Sequence, residues 1–362
     1  MNAASAPSLL RLERLALFAG ALALAVSAIL GWIVPHALGA ACRLAAFACL
    51  APALGSLVFL LIHRMTGGQW GPELHPFLAA GTTLLPWIWL LTLPLLFFPV
   101  PAHLAPAEQR DLYANHGMVV LRAIVYGLFF LALAHGLRRV RRVRLAGDQV
   151  SLRWIAPAGL ITLVFLAHLL AEDWLIALDP QWHSTAFPVV WLTGQAVAGL
   201  ACALACATLG GAQPAARGAA GRPLGLDWGN LLLAATLFFS YVAFAQFLII
   251  WSGNLPREIS WYQMRTAGAW RWVIVALAVC HFALPFLFLL SRRFKRFPAG
   301  LAGVSLVLLA AQLTYLAWLI LPAFRPLAPL SLALAFTLPA SAFAFFLNRY
   351  LAAARREPEV RP

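Results

Sequence analysis

Four residues at one end of two neighbouring apolar stretches are of types that hold or move protons. In the run Phe165-Leu-Ala-His168-Leu-Leu-Ala-Glu172-Asp173-Trp174, His168 and Glu172 are four apart. On an α-helix that spacing puts them on one face, about 6 Å apart along the axis. Asp173 is one residue further on and points elsewhere. Arg122 lies about five residues into the preceding apolar stretch, roughly 8 Å below its end, so its depth is similar. If the two helices touch, an Arg122–carboxylate pair is natural. An imidazole that titrates near neutrality beside a carboxylate is also what proton transfer to or from a quinol requires. A purely structural reading stands beside this one: Arg122 snorkels to the interface and the two acids sit at the water line.

The other polar groups inside apolar stretches read more simply. His281 is midway along its stretch, four residues before Pro285. It is expected to be a buried neutral imidazole bonded to a carbonyl freed by that proline, with a proton-path role as the alternative. Gln246, Gln312 and Tyr315 are expected to join helices by hydrogen bonds. Bis-imidazole haem ligation needs two facing histidines at matched depth. His135, His168 and His281 differ in depth, so no haem site is expected. The five cysteines include no CxxC or CxxCH pair, which gives no covalent haem attachment and no iron–sulfur framework. No metal-binding cluster of His and carboxylates is expected deep in the bilayer either. The chain therefore offers no evident electron carrier of its own.

The elements that must position these residues follow from composition. Residues of the set AVILMFWYC make up 63% of the 362, and charged residues 10%. Soluble domains are nearer ~45–50% and ~25%. A water-soluble enzyme and a disordered chain are both excluded. A bilayer span needs ~20 apolar residues. Ten stretches qualify, at about 15–34, 44–62, 77–98, 117–137, 154–171, 186–209, 229–251, 272–290, 301–320 and 330–347. The segments between them are too short for an extramembrane domain. The expected fold is an all-α polytopic membrane protein of about ten transmembrane helices. Two of the later spans echo two of the earlier ones: a belt of Trp and Pro, a charged loop, a helix, then Leu137-Arg138-Arg139 in one case and Ser291-Arg292-Arg293 in the other. That echo suggests two four-helix bundles, 44–171 and 186–320, with the first and last spans flanking them. The Gly/Ala/Pro-rich segment 210–228 is expected to be a flexible cytoplasmic linker.

The net charge of +14 does not point to nucleic acid, because the basic residues are sorted by side. Arg11, Arg14, Arg64, the run 138–144, Arg153, Arg217, Arg222, the run 292–296 and the arginines of 349–361 fall on the side shared by both termini. Arg43, Arg110, Arg257, Arg265, Arg271 and Arg325 fall opposite. The positive-inside rule makes both termini cytoplasmic, and the basic loops can also meet anionic lipid. Trp87, Trp89, Trp174, Trp182, Trp251, Trp261 and Trp270 lie near the opposite surface and are expected to form an interfacial belt.

Two blocks are more specific than composition. One runs Asp173-Trp-Leu-Ile-Ala-Leu-Asp-Pro-Gln-Trp-His-Ser-Thr-Ala-Phe187. The other runs Tyr241-Val-Ala-Phe-Ala-Gln-Phe-Leu-Ile-Ile-Trp-Ser-Gly-Asn-Leu-Pro-Arg-Glu258 and continues to Trp261, Arg265 and Trp270. With His281-Phe-Ala-Leu-Pro-Phe286, Ser291-Arg292 and Lys295-Arg296, they resemble the F subunit of alternative complex III. That complex is a quinol:cytochrome c oxidoreductase, and its F subunit belongs to the NrfD-like membrane family. The resemblance covers roughly 165–300 well and the rest more weakly. It implies ten helices in two bundles, in a bacterial inner membrane. It also implies partners: a related quinol-oxidising membrane subunit, an iron–sulfur subunit and c-type cytochrome subunits. The electron path would lie in those partners, and this subunit would contribute structure, a quinone site or a proton route. Asp173 and Asp179 match the family motif, whereas Gln181 and His183 stand where His and an aromatic are more frequent. Arg122 enters from depth alone. The functional expectation is thus a cofactor-free membrane subunit of a quinol-oxidising complex, with Arg122, His168, Glu172, Asp173, Asp179 and His281 as candidate quinone or proton-path residues. A stand-alone transporter is the alternative.

Overall fold

The computed structural model describes residues 7–96, 116–145, 154–179, 181–218, 221–324 and 328–356. Of the arginines used for orientation, Arg110, Arg153, Arg325 and Arg361 lie outside them. In a bilayer every backbone N–H and C=O must find a partner within the chain, so a strongly apolar sequence spans it as helices. Among the described residues, ten helical segments are long and apolar enough to cross, and the protein is an all-α, multi-pass membrane protein. The helices are α1 (Pro7–Ile33), α2 (Leu38–Thr66), α3 (Gly71–Thr83), α4 (Leu85–Thr92), α5 (His116–Leu145), α6 (Ile155–Trp174), α7 (Phe187–Leu209), α8 (Leu224–Gly253), α9 (Pro256–Thr266), α10 (Trp270–Leu277), α11 (Leu284–Leu290), α12 (Arg292–Arg296), α13 (Pro298–Ile320) and α14 (Pro329–Arg356). One span is broken into α3 and α4, and another into α10 and α11 by a π-helical turn, Ala278–Ala283.

The breaks have local causes. Pro285 has no N–H to offer, and the chain before it widens so that Leu284 N–H reaches the Val279 carbonyl. At the end of α8 the chain reverses through Asn254, at φ 48°, whose N–H caps the Ile250 carbonyl. Pro256 then occupies the start of α9, where its missing donor costs nothing.

Packing divides the helices into neighbourhoods. α2 packs on α3, α4 and α6, with α5 against α4 and α6. α7 packs on α8 and α13, with α10 against α13 and α11 against α8. α2 and α7 form the seam between these groups, and they cross at glycines. A Cβ on Gly55 would stand 1.9 Å from the Gln195 carbonyl oxygen, and one on Gly199 would stand 2.3 Å from the Gly55 backbone. No side chain other than hydrogen fits there, which is how membrane helices gain close backbone contact. α1 lies along α14, tied by Ser341 Oγ donating to the Gly20 carbonyl (3.1 Å), Asn348 donating to the Glu13 carbonyl (2.9 Å) and an Arg355–Glu13 ion pair. α14 in turn covers α2 and α3.

The segment beginning at Gly210 joins α7 to α8, two helices that pack on each other. Its described residues are held by hydrogen bonds from Ala212 N to the Ala207 carbonyl, Leu224 N to the Ala216 carbonyl and Gly225 N to the Pro214 carbonyl. Gly229 lies against the stem of Lys295, whose ammonium donates to Asn230 Oδ1 at 2.5 Å. Removal from water pushes the Lys295 ammonium below its usual pKa, with nearby Arg292 adding to the effect.

Candidate functional site

α5 and α6 touch, and the arginine finds its acid. Arg122 donates from Nε to Asp173 Oδ2 (2.8 Å) and from Nη2 to Oδ1 (2.9 Å), a bidentate pair. Tyr126, one helical turn beyond Arg122, donates its hydroxyl to Asp173 Oδ2 at 2.7 Å. The Asp173 side chain is 2% exposed. Both carboxylate oxygens are thus satisfied inside the first bundle. Tyr126 carries no sequence signal apart from its spacing of four from Arg122.

Glu172 faces the other way. His168 Nε2 stands 3.9 Å from its Oε1, and both side chains are partly exposed. Glu172, His183, Ser184 and Glu258 line a polar cleft of about 310 Å³ at the end of the bundle away from the termini. One further imidazole, His183 of the α6–α7 loop, and one further acid, Glu258 of α9, therefore join Glu172. Of the two acids at the depth of Arg122, Asp173 is its partner, and Glu172 stands beside His168 as their spacing of four requires; the pairs are separate because successive residues leave a helix in different directions.

Asp179 is buried, and its charge acts on Arg265 of α9. The Arg265 guanidinium lies 3.9 Å above the Trp261 ring and donates to the Leu319 carbonyl (2.9 Å from Nη2) and to the Trp261 carbonyl (3.2 Å from Nη1). Burial pushes this guanidinium down to about 9, against the opposing pull of Asp179, Tyr315 and Tyr262. It stays a cation at neutral pH. Trp182 stacks on the far side of this unit, its ring 4.4 Å from Trp261 at 15°. Trp318 donates its indole N–H to the Arg265 carbonyl at 2.8 Å. The two sequence blocks that carry the resemblance thus meet in space as one ladder, Trp182–Trp261–Arg265.

This corrects the tryptophan belt. Trp87 and Trp251 are exposed, as an interfacial belt requires, but Trp174, Trp182 and Trp261 are buried. Composition cannot separate a loop that lies along the membrane surface from one that folds back into the bundle.

His281 is also corrected. It sits in the π-turn, 3% exposed, and its Nε2 has no hydrogen-bond partner among the described residues. The carbonyl expected to accept from it does not do so. Its ring instead packs 4.4 Å from Phe239 and 6.3 Å from Tyr315. It lines a cavity of about 570 Å³ between α8, α9, α10 and α13, together with Gln246, Tyr262, Tyr315 and Trp318. Gln246 also lines the polar cleft, so the two spaces share a wall. Among the described residues, no group of three or more His, Cys, Asp or Glu side chains is placed to hold a metal ion. No protein-family model matches this chain, and no curated protein matches it.

Proposed function

We propose that this chain is an integral membrane subunit of a quinol-oxidising respiratory complex of the alternative complex III type, set in a bacterial cytoplasmic membrane with both termini inside. Its partners would be a related quinol-oxidising subunit, an iron–sulfur protein and c-type cytochromes, with lipid around the free helices. The observation that carries this reading is the Trp182–Trp261–Arg265 ladder. The loop after Asp173 and the helix after Pro256 are far apart in sequence, and their resemblance to one family gains weight because they build one buried unit.

Oxidation of a quinol releases two protons and two electrons. The electrons would pass to redox centres in the partners. The protons need bases, and the cleft supplies Glu172 and Glu258 with His183 and His168 beside them. Asp173 is the poorer candidate, since its oxygens are committed to Arg122 and Tyr126. It fixes the end of α6 from which Glu172 projects.

Affinity purification from native membranes tests the assignment. The expected result is recovery with haem-bearing and iron–sulfur subunits, and with quinol:cytochrome c activity. Recovery alone, with solute transport in vesicles, would overturn it in favour of a transporter.

A further inference from the structure

The cavity in the second bundle has features that packing alone does not explain. Its volume of about 570 Å³ is in the range of sites for small organic ligands, ~300–1,000 Å³. Its walls are aromatic, from Phe239 and Phe244 of α8 to Trp261 of α9 and Tyr315 of α13. Against those walls stand two buried polar groups with unused capacity. His281 Nε2 and Gln246 Oε1 have no hydrogen-bond partner among the described residues, although each residue is less than 5% exposed. Gln246 meets the Tyr262 hydroxyl through the rest of its carboxamide. Leaving such atoms unpaired in the interior destabilises a fold. Folds keep that cost at sites where something else completes the bonds. The π-turn that aims His281 inward is itself a departure from regular helix of the kind found at functional sites.

The way in is from the bilayer. Tyr241 and Phe244 of α8 are 70% and 62% exposed, and Val275 and Val279, on the α10 side, are exposed too. A ligand that enters there must be soluble in lipid. It must also be flat enough to lie between aromatic rings, and it must carry oxygen at two ends, one of them a hydroxyl that can donate to Gln246 Oε1 and the other in reach of His281 Nε2. An acyl chain meets the first requirement and fails the last.

We propose that this cavity binds the ring of a lipid-soluble quinol between His281 and Gln246, one hydroxyl donating to Gln246 Oε1, with its isoprenoid tail leaving between α8 and α10. The choice of a quinol over another lipid-soluble ring rests on the function proposed above; the ring site itself does not. Gln246, shared with the cleft of Glu172, His183 and Glu258, places the ring next to the groups that would take its protons.

The test uses the full chain in nanodiscs and an azido-ubiquinol photolabel, with decylubiquinol or phospholipid as competitor. Label on peptides covering 237–247 and 274–282, displaced by decylubiquinol and not by phospholipid, is the expected result. His281→Leu and Gln246→Leu should each weaken competition about tenfold, the equivalent of one hydrogen bond. Ala243→Phe, which fills the cavity and leaves both polar groups in place, should abolish labelling at those peptides. Label spread over other lipid-facing helices, equal displacement by phospholipid, or indifference to all three substitutions would overturn the proposal. Specific labelling of a chain that purifies without redox partners keeps the site and removes the respiratory assignment. Co-purification with those partners and no specific labelling does the reverse.

Discussion

The Asp173 cluster and the His281 cavity treat buried polarity in opposite ways. In the first, Asp173 accepts three hydrogen bonds from Arg122 and Tyr126, and the cluster is closed. In the second, His281 and Gln246 are as deeply buried, yet one ring nitrogen and one amide oxygen have no partner within the described chain. A satisfied ionic cluster positions helices; an unsatisfied pair at the edge of a cavity invites a ligand. The contrast separates residues that hold the fold from residues that the fold holds in readiness. It also separates neighbours: Asp173 belongs to the first class, and Glu172, next to it, belongs to the polar cleft.

If the contrast is right, substitutions should sort by it. Arg122→Ala should have the largest effect, a loss of roughly 3–5 kcal/mol, because it strands a buried carboxylate. Denaturant unfolding in detergent micelles would measure it, and Arg122→Met combined with Asp173→Leu should recover most of the loss. Trp261→Ala should cost a similar ~3–5 kcal/mol, since it removes a large ring wedged between Trp182 and Arg265. Tyr126→Phe deletes one hydrogen bond and leaves the bidentate pair, so about 1 kcal/mol is expected. His281→Leu should leave the unfolding midpoint unchanged or raise it slightly, because the imidazole Nε2 makes no bond that leucine would break. A large loss there would show that the cavity relies on its histidine as the cluster relies on its arginine. Glu172→Gln should stay within about 0.5 kcal/mol of the parent, as partly exposed substitutions do.

Much of this was legible in the residues. The spans follow from runs of apolar side chains, because the bilayer allows few other solutions for the backbone. Helical rise placed Arg122 at the depth of a carboxylate, but depth left Glu172 and Asp173 equal as its partner. The partners that sequence missed share one property. Tyr126 and Tyr262 acquire their roles from contacts between separate elements, and an isolated Tyr looks the same whether it is glue or lining; Gln246 was expected to join helices, but its place on a cavity wall was not legible. The Trp182–Trp261 stack was hidden for a related reason, as Trp182 sits in a loop and Trp261 in the short helix α9, and no local pattern announces that the two return into the bundle. The π-turn at His281 has a visible trigger in Pro285, but a proline in a span more often kinks a helix than widens one turn of it.

The bare crossing of α2 and α7 bears on how the molecule can move. With Gly55 and Gly199 pressed backbone to backbone, the halves are welded at one point with no cushion of flexible side chains to slide upon. Rocking of one half against the other, the usual way a carrier exposes its cargo to alternate sides, would have to tear or pivot about that weld. Motion is easier at the rim, where α8 and α10 meet few neighbours and can part without disturbing the centre.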